Sequence, residues 1–485
     1  MYLNNIGEIT NWKTGEHWSS DKIIKHSKNL AFHLNNLKIQ NKSKIIIIHD
    51  DSPRYISDLL GLWEYGACGV CLNHNITTNE LSKIINQVKP EAIISTEKNF
   101  NFTLEYDLKI IFSEKINNTD TTKAFSHKNL DDDALILFTS GTTGVPKGVV
   151  HTHRSILSRL TLNQLHIPKE DREITLSVLP TYFGHGLIGN ILTPLTDSQK
   201  VIIAPGNNLD FQSRFPEVID EYKISFMSSV PSFWKKILLN KSKPKNKSLK
   251  RIQVGSAPLS LNLWENIADW SSNKNIFNMY GITETANWIS GISLTEKNVL
   301  DGSIGRIWGG SFGILNENNQ ILSLGEGEIL VQNPSLMKGY LNLQNDTNNV
   351  LKNGWFYTGD IGKLSSDGTA QITGRKRYMI NRGGLKIHPE DIDLILEKNN
   401  DVEEACTFAI DHQIEGETIG VAISMKDKTK FDEFQLKKWC SELISREKIP
   451  TKWFNVESIP KTERGKINRD NVAKYCKNLK NEIDK

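Results

Sequence analysis

Short apolar runs alternate with amphipathic stretches through the first half of this 485-residue chain. Lys44 to His49 reads Lys-Ile-Ile-Ile-Ile-His. An unbroken apolar run without alternation predicts a strand buried on both faces of a parallel sheet. Pro53 to Trp63 predicts a helix, Ala67 to Leu72 a strand, Leu81 to Val88 a helix and Ala92 to Ser95 a strand. Ala134 to Phe138, Val201 to Ala204, Ser225 to Ser229, Arg251 to Gly255 and Ile276 to Met279 extend the series. Strands alternating with helices imply βαβ units and a parallel-rich sheet. From Gly305 to Asp367 the pattern changes to short strands with Gly, Asn and Asp turns, as in a small antiparallel β subdomain. Gly374-Arg375-Lys376-Arg377-Tyr378 is charged and glycine-led, as a hinge would be. Residues beyond it mix short strands and helices. The expected fold is therefore α/β. A large multilayer N-terminal domain (1–376) carries parallel-rich sheets and the small β subdomain. A smaller, mobile α+β C-terminal domain (377–485) follows.

Composition narrows the partners. The chain is too long for one core. Apolar residues make up 38% and charged residues 24%, which suits a globular protein. The net charge of +3, from 59 basic and 56 acidic groups, gives no reason to expect nucleic acid or an anionic membrane. No apolar stretch approaches the roughly 18 residues of a membrane helix. The start is polar and the end is not a peroxisomal tripeptide, so a cytoplasmic location is expected. Five cysteines are an odd count that argues against a disulfide framework. Cys68 and Cys71, with His74 nearby, have half the spacing of a zinc or redox site. No second pair completes four ligands, and a buried strand accounts for them. His151 and His153 likewise lack further metal ligands. The basic run Lys241 to Lys247 reads as a solvated loop.

The chemistry is concentrated in Thr139-Ser140-Gly141-Thr142-Thr143-Gly144-Val145-Pro146-Lys147-Gly148, directly after an apolar strand. Glycines let backbone N–H groups approach a ligand, and successive N–H groups form an anion-binding concavity. Hydroxyls donate to phosphate oxygens, and the lysine adds a point charge. A Walker loop needs Ser or Thr after its lysine. Here Gly148 follows Lys147, so that reading fails.

This loop resembles the signature of the adenylate-forming superfamily, which contains acyl-CoA synthetases, peptide-synthetase adenylation domains and beetle luciferases. Further segments match it in order, over roughly residues 45 to 470. In Tyr280-Gly281-Ile282-Thr283-Glu284 a glutamate can coordinate Mg²⁺ that bridges triphosphate oxygens, and Thr283 can bond the α-phosphate. The resemblance implies that Tyr280 stacks on adenine and that Asn278 and Ile372 also contact the nucleotide. It implies that Gly255-Ser256-Ala257-Pro258 borders both adenine and the acid, although a plain βα turn would look the same. Tyr357-Thr358-Gly359-Asp360 supplies a carboxylate able to accept from ribose hydroxyls, with Arg375 approaching ribose and phosphate. Arg377 falls at the hinge, where the family usually has Asp or Lys, and Tyr378 replaces an acidic residue. Gly383 and Gly384 would admit a pantetheine arm. In Pro460 to Ile467 the family's lysine after glycine is Lys466, which neutralises both a carboxylate and an α-phosphate. Pro180 to Gly186 resembles the pocket-gating motif and contributes His185. Trp288, Ile289, Phe233 and Trp234 fall on segments that line the family's acid site, although Trp288 in the core is an equal alternative.

The implied activity is an ATP-dependent acid–thiol ligase. A small-molecule carboxylic acid is activated as an acyl-adenylate with release of pyrophosphate, then transferred to coenzyme A. Lys466, Thr283, Glu284 and Lys147 are the expected catalytic residues. ATP, Mg²⁺ and coenzyme A are the expected cofactors, with Glu284 as the metal ligand. An acyl carrier protein is the alternative acceptor. A nucleotide binder without catalysis and a luciferase-like oxygenase are the readings from other classes. The region Pro180 to Gly186 lacks the aspartate with which peptide-synthetase members hold an α-amino group, and burying an ammonium without a counter-charge is costly. A simple acid is expected, and bulky aromatics favour a short, medium or aryl one. Oligomeric state is left open.

Overall fold

The computed structural model describes residues 2–102, 108–116, 129–139, 147–240, 242–382, 385–412, 416–462 and 465–483. They fall into two compact units. The first comprises residues 1–299, 306–311 and 332–356, and the second comprises 300–305, 312–331 and 357–485.

The first unit holds two stacked α/β sheets. One sheet runs in the order Lys109–Phe112, Ala92–Ser95, Lys44–Ile47, Cys68–Cys71 and Asp133–Thr139, all parallel, and then Lys147–Thr152 and Gly339–Tyr340, both antiparallel. In the other, Glu8–Asn11, Lys200–Ile203, Ile174–Ser177, Phe226–Ser229, Arg251–Gly255 and Ile276–Gly281 are parallel neighbours, followed by antiparallel Trp288–Ser293. The apolar runs form these strands because both faces of each sheet are covered. Helices Ser20–Asn36, Pro53–Tyr65 and His153–His166 bury Leu30, Leu59, Leu62, Trp63, Ile156 and Leu160 in a core shared with Ile45, Ile47, Leu135 and Leu137 of one sheet and Ile9, Val201 and Ile203 of the other.

Helix boundaries follow capping rather than apolar spacing. Ser52 Oγ accepts from Tyr55 N at 3.3 Å, with Pro53 in the first turn, and the helix ends at Gly66 with φ 97°. The helix predicted from Leu81 begins at Thr78. Thr77 and Glu80 form a reciprocal capping box, Thr77 Oγ1 accepting from Glu80 N and Glu80 Oε2 from Thr77 N. That polar first turn has no apolar period to reveal it. A wholly buried π-helix, His185–Leu192, lies where the sequence offers only an apolar stretch.

In the second unit, Ser303–Ile307, Ala370–Arg375, Trp355–Leu364 and Gly325–Gln332 lie side by side, as the turn-rich pattern predicts. A separate sheet, Leu385–Ile387, Ile380–Arg382, Gly416–Met425 and Val402–His412, with Lys452–Asn455 parallel to Gly416–Met425, carries helices Pro389–Glu397 and Glu433–Leu443. Helix Arg469–Ile483 packs Val472 and Cys476 against Cys406, Phe408 and Ala422 of that sheet.

Candidate active site

The phosphate-loop sequence sits on a hairpin. Asp133–Thr139 and Lys147–Thr152 pair antiparallel, with Thr139 opposite Lys147, so the two residues stand at the stems of the loop. Ser140, Gly141, Thr142, Thr143 and Gly144 lie outside the described residues. Lys147 Nζ is 2.9 Å from Asp346 Oδ2 and 5.1 Å from the centroid of the Tyr340 ring. The Tyr340 hydroxyl donates to Glu284 Oε1 at 2.8 Å. Burial, and then the neighbouring Glu284 charge, raise the Tyr340 pKa, which keeps the phenol a donor. Lys147 and Glu284, 137 positions apart by number, thus meet through one tyrosine that the sequence did not single out.

Glu284 is fixed from its backbone as well. Its carbonyl accepts from Met337 N at 2.7 Å. The Thr283 carbonyl lies 2.8 Å from His151 Nε2. That imidazole is fully buried, and burial holds it down to about 4 against the opposing pull of the carbonyl. It is therefore neutral at pH 7, with its proton on Nε2 facing Thr283 O. His151 positions the short helix Thr283–Thr285. Among the described residues no group of three His, Cys, Asp or Glu side chains is arranged to hold a metal by itself. Ala286 follows with φ 66°, in a region that L residues rarely adopt. Tyr280 and Asn278 lie on the adjacent strand Ile276–Gly281, Asn278 buried and Tyr280 half-buried. Gly281 packs so tightly that a Cβ would stand 2.3 Å from Asn287 O.

A second cluster surrounds His185, at the start of the π-helix. Its Nδ1 is 2.8 Å from Ser256 Oγ and its Nε2 is 2.7 Å from Ser228 Oγ. Ser256 takes φ 67°, and Ala257 and Pro258 continue the turn after Gly255. Trp288 meets the His185 ring edge-on, with centroids 5.1 Å apart. Gly189 makes room for the indole, because a Cβ there would stand 2.5 Å from Trp288 Cη2. Arg159, fully buried, holds the Trp288 carbonyl and donates to Ser335 Oγ at 3.1 Å and Asn333 Oδ1 at 2.9 Å. Burial pulls its pKa down to about 9. Nothing in the sequence pattern marks Arg159. Ile289 is buried, and its carbonyl accepts from Trp308 N at 2.6 Å.

In the second unit, Asp360 pairs in register with Arg375, whose Nε reaches Asp360 Oδ1 at 2.6 Å. Gly359 turns with φ 71° and its N–H donates to Glu328 Oε1 at 3.1 Å, while Glu328 also binds Lys376 at 3.0 Å. Ile372 N donates to Gly302 O at 2.9 Å. Arg377 sits in the short helix Lys376–Tyr378, with Nη2 2.6 Å from Asp470 Oδ2. Lys466 is exposed on a turn closed by Thr462, whose N–H donates to Lys466 O at 2.8 Å, and Gly465 has φ 72°. Gly383 and Gly384 lie outside the described residues.

Other segments singled out in the sequence have ordinary packing. Phe233 and Trp234 lie in an aromatic core with Phe215 and Trp270. Cys68 and Cys71 are buried free thiols, pushed up by burial, with Cys71 at about 12, so they read as core. Residues 242, 243 and 245–247 are exposed, as a solvated loop would be.

The AMP-binding enzyme family model matches residues 7–341, and that of the AMP-binding enzyme C-terminal domain matches 391–466. The chain belongs to this family of adenylate-forming enzymes. It is 30% identical over 353 residues to oxalate–CoA ligase of Arabidopsis thaliana, covering 71% of this chain and 68% of that protein. It is 27% identical to malonate–CoA ligase of the same plant, covering 90% and 78%. The solved structure of ATP-bound MatB from Rhodopseudomonas palustris superposes with a TM-score of 0.88 at 21% identity, over 98% of this chain and 97% of that one. Among the described residues no helix is long and apolar enough to cross a membrane.

Proposed function

We propose that this chain joins a short, polar carboxylic acid to coenzyme A in two ATP-driven steps. It is an AMP-forming acyl-CoA synthetase, as its CoA-ligase relatives support. Two of the relatives are named for oxalate and malonate, acids as short as the one proposed here. The observation that carries the site assignment is the chain of contacts from Lys147 through Tyr340 to Glu284.

The acid's carboxylate attacks the α-phosphorus of ATP, the bond to the β-phosphate oxygen breaks, and pyrophosphate leaves. Carboxylates are poor nucleophiles toward a polyanion, so positioning and charge neutralisation supply most of the rate. In this reading Thr139 to Gly144 and Lys147 grip the phosphates, and Thr283 bonds the α-phosphate. Tyr280, Asn278, Ser256, Ala257, Pro258 and Ile372 bracket the adenine. Asp360 accepts from the ribose with Arg375 beside it. Glu284 offers the hard oxygen that suits Mg²⁺, which supplies charge neutralisation on the triphosphate. Tyr340 occupies one Glu284 oxygen and orients the other. Lys466 stands between the carboxylate and the α-phosphate. Rotation about Arg377, between domains 1–376 and 377–485, then exchanges Lys466 for Gly383 and Gly384, past which the thiol arm enters. The thiolate attacks the acyl carbon and AMP leaves. A cytoplasmic location belongs to this reading.

Acid-dependent ATP–pyrophosphate exchange tests the first step. Free coenzyme A against holo-carrier proteins as acceptors tests the second. Exchange without any acid, or transfer to carriers alone, would overturn it.

A further inference from the structure

Below His185 the second sheet of the first unit carries polar side chains where a sheet interior is ordinarily apolar. Ser177, Ser228 and Gln253 are register partners on three adjacent parallel strands, so their side chains lie in one row on one face. All three are fully buried. Ser228 is the residue that touches His185, which places the row against the π-helix. From that helix Asn190, also fully buried, donates to the Ser228 carbonyl at 2.8 Å.

The row is not satisfied. Ser177 Oγ, Asn190 Oδ1 and both Gln253 amide atoms are buried without a protein partner, as is Trp288 Nε1 beside His185. Arg251, two residues before Gln253 on the same face, is buried with its Nε unpartnered as well. Its guanidinium lies 3.6 Å from the Phe277 ring centroid and 4.0 Å from Asp171. Buried polar groups are almost always paired, and an unpaired one is costly to bury. Several together in a single row mark a place for polar ligand atoms. Of these six unpartnered atoms two are amide oxygens and four can donate, a hydroxyl, an amide NH₂, an indole N–H and the N–H of the Arg251 cation. That is the complement of a carboxylate.

We infer that this row is the floor of the acid pocket and receives the second carboxylate of a short dicarboxylic acid, with Gln253 as the specificity-determining residue. The inference rests on the ligase reading above and on the family resemblance, which puts Gly255 and His185 beside the reacting acid. Gln253 lies two residues along the strand from Gly255, about 6.6 Å at ~3.3 Å per residue. Allowing for the glutamine side chain, that distance suits an acid of about three to five carbons.

The test is steady-state acyl-CoA formation with matched pairs: malonate against propionate, succinate against butyrate, glutarate against pentanoate. Wild type is expected to favour the dicarboxylate of at least one pair by about 10²-fold in kcat/KM. Gln253→Leu is expected to abolish that preference while the KM for ATP stays within about twofold. Ser177→Ala, a near-isosteric loss of one donor, is expected to weaken the same preference about tenfold, and it reports independently should Gln253→Leu not fold. Activity on monocarboxylates alone would overturn the subsite and leave the ligase reading standing. An unchanged preference in folded Gln253→Leu, or in Ser177→Ala where Gln253→Leu does not fold, would also overturn it, with the row then holding ordered water only. No adenylation of any acid by wild type would instead fail the ligase reading itself.

Discussion

The Tyr340 hydroxyl donates to Glu284 Oε1 at 2.8 Å while the same ring faces Lys147 Nζ at 5.1 Å from its centroid. One phenol therefore sets the orientation of both a carboxylate and a cation. Tyr340→Phe keeps the ring and removes only the donor. A hydrogen bond to a charged group is worth about 1.5–3 kcal/mol. The expected outcome is a KM for MgATP raised about tenfold or more, with the acid KM nearly unchanged. Equal changes in both would show that Tyr340 acts through general packing.

Lys466 is assigned to the first half-reaction only. Lys466→Ala is expected to slow adenylation by about 10²-fold or more, as loss of one charge-stabilising group does. Thioester formation from supplied acyl-adenylate should persist. Equal loss in both half-reactions would remove the assignment.

Arg377 is tethered to Asp470 at 2.6 Å. Arg377→Pro fixes φ and deletes a backbone donor. Adenylation near the wild-type rate with strongly impaired thioester formation is expected in single-turnover assays. Full thioester activity would mean that no rotation about this residue is needed.

His151 is held neutral at about 4 by burial, against about 6.5 in an unfolded chain. As pH falls the unfolded state takes up this proton first. The contribution to stability is therefore complete above about pH 6.5 and is lost progressively toward pH 4. In urea titrations, the stability advantage of wild type over His151→Asn should shrink by about 2 kcal/mol between pH 7 and pH 5. A constant gap would contradict the neutral, buried assignment.

Trp288 fills the space left by Gly189. Trp288→Ala should cost about 3–5 kcal/mol of stability through the cavity it leaves. It should also admit acids longer by several methylenes, each worth about 0.8 kcal/mol of burial. Wild-type preference for a long acid such as palmitate, or an unchanged acid profile in the variant, would refute the role in acid length.

Local signals carried much of the fold. Unbroken isoleucine runs marked strands buried on both faces, and the strand Ala92–Ser95 matches its apolar run end for end. What stayed hidden depends on contacts between distant residues. Tyr340 reads as one aromatic in a polar stretch until Gly339–Tyr340 pairs with Lys147–Thr152 and brings it to Glu284. Arg159 sits in an ordinary amphipathic helix, and only the packed structure shows that its charge is buried on the Trp288 carbonyl. Phe233 and Trp234 follow a motif, yet they lie on helix Pro231–Ile237, whose packing turns both into the aromatic core with Phe215 and Trp270, because motif proximity does not fix which face a side chain takes. Gln253 interrupts an apolar strand by one residue, a signal too short to separate from noise.

The π-helix His185–Leu192 carries one residue more per turn-closing hydrogen bond than an α-helix would. An inserted residue of this kind rotates everything after it by about a quarter turn relative to the chain before it. His185 and Asn190 both depend on that offset for their reach to Ser228. On the acid-pocket reading proposed above, acid choice is thus open to change by single-residue deletion as well as by substitution. Losing one residue here would turn His185 away from the sheet and release both Ser228 and Ser256, so on the reading proposed above a deletion at this point reaches the acid side and the adenine side together.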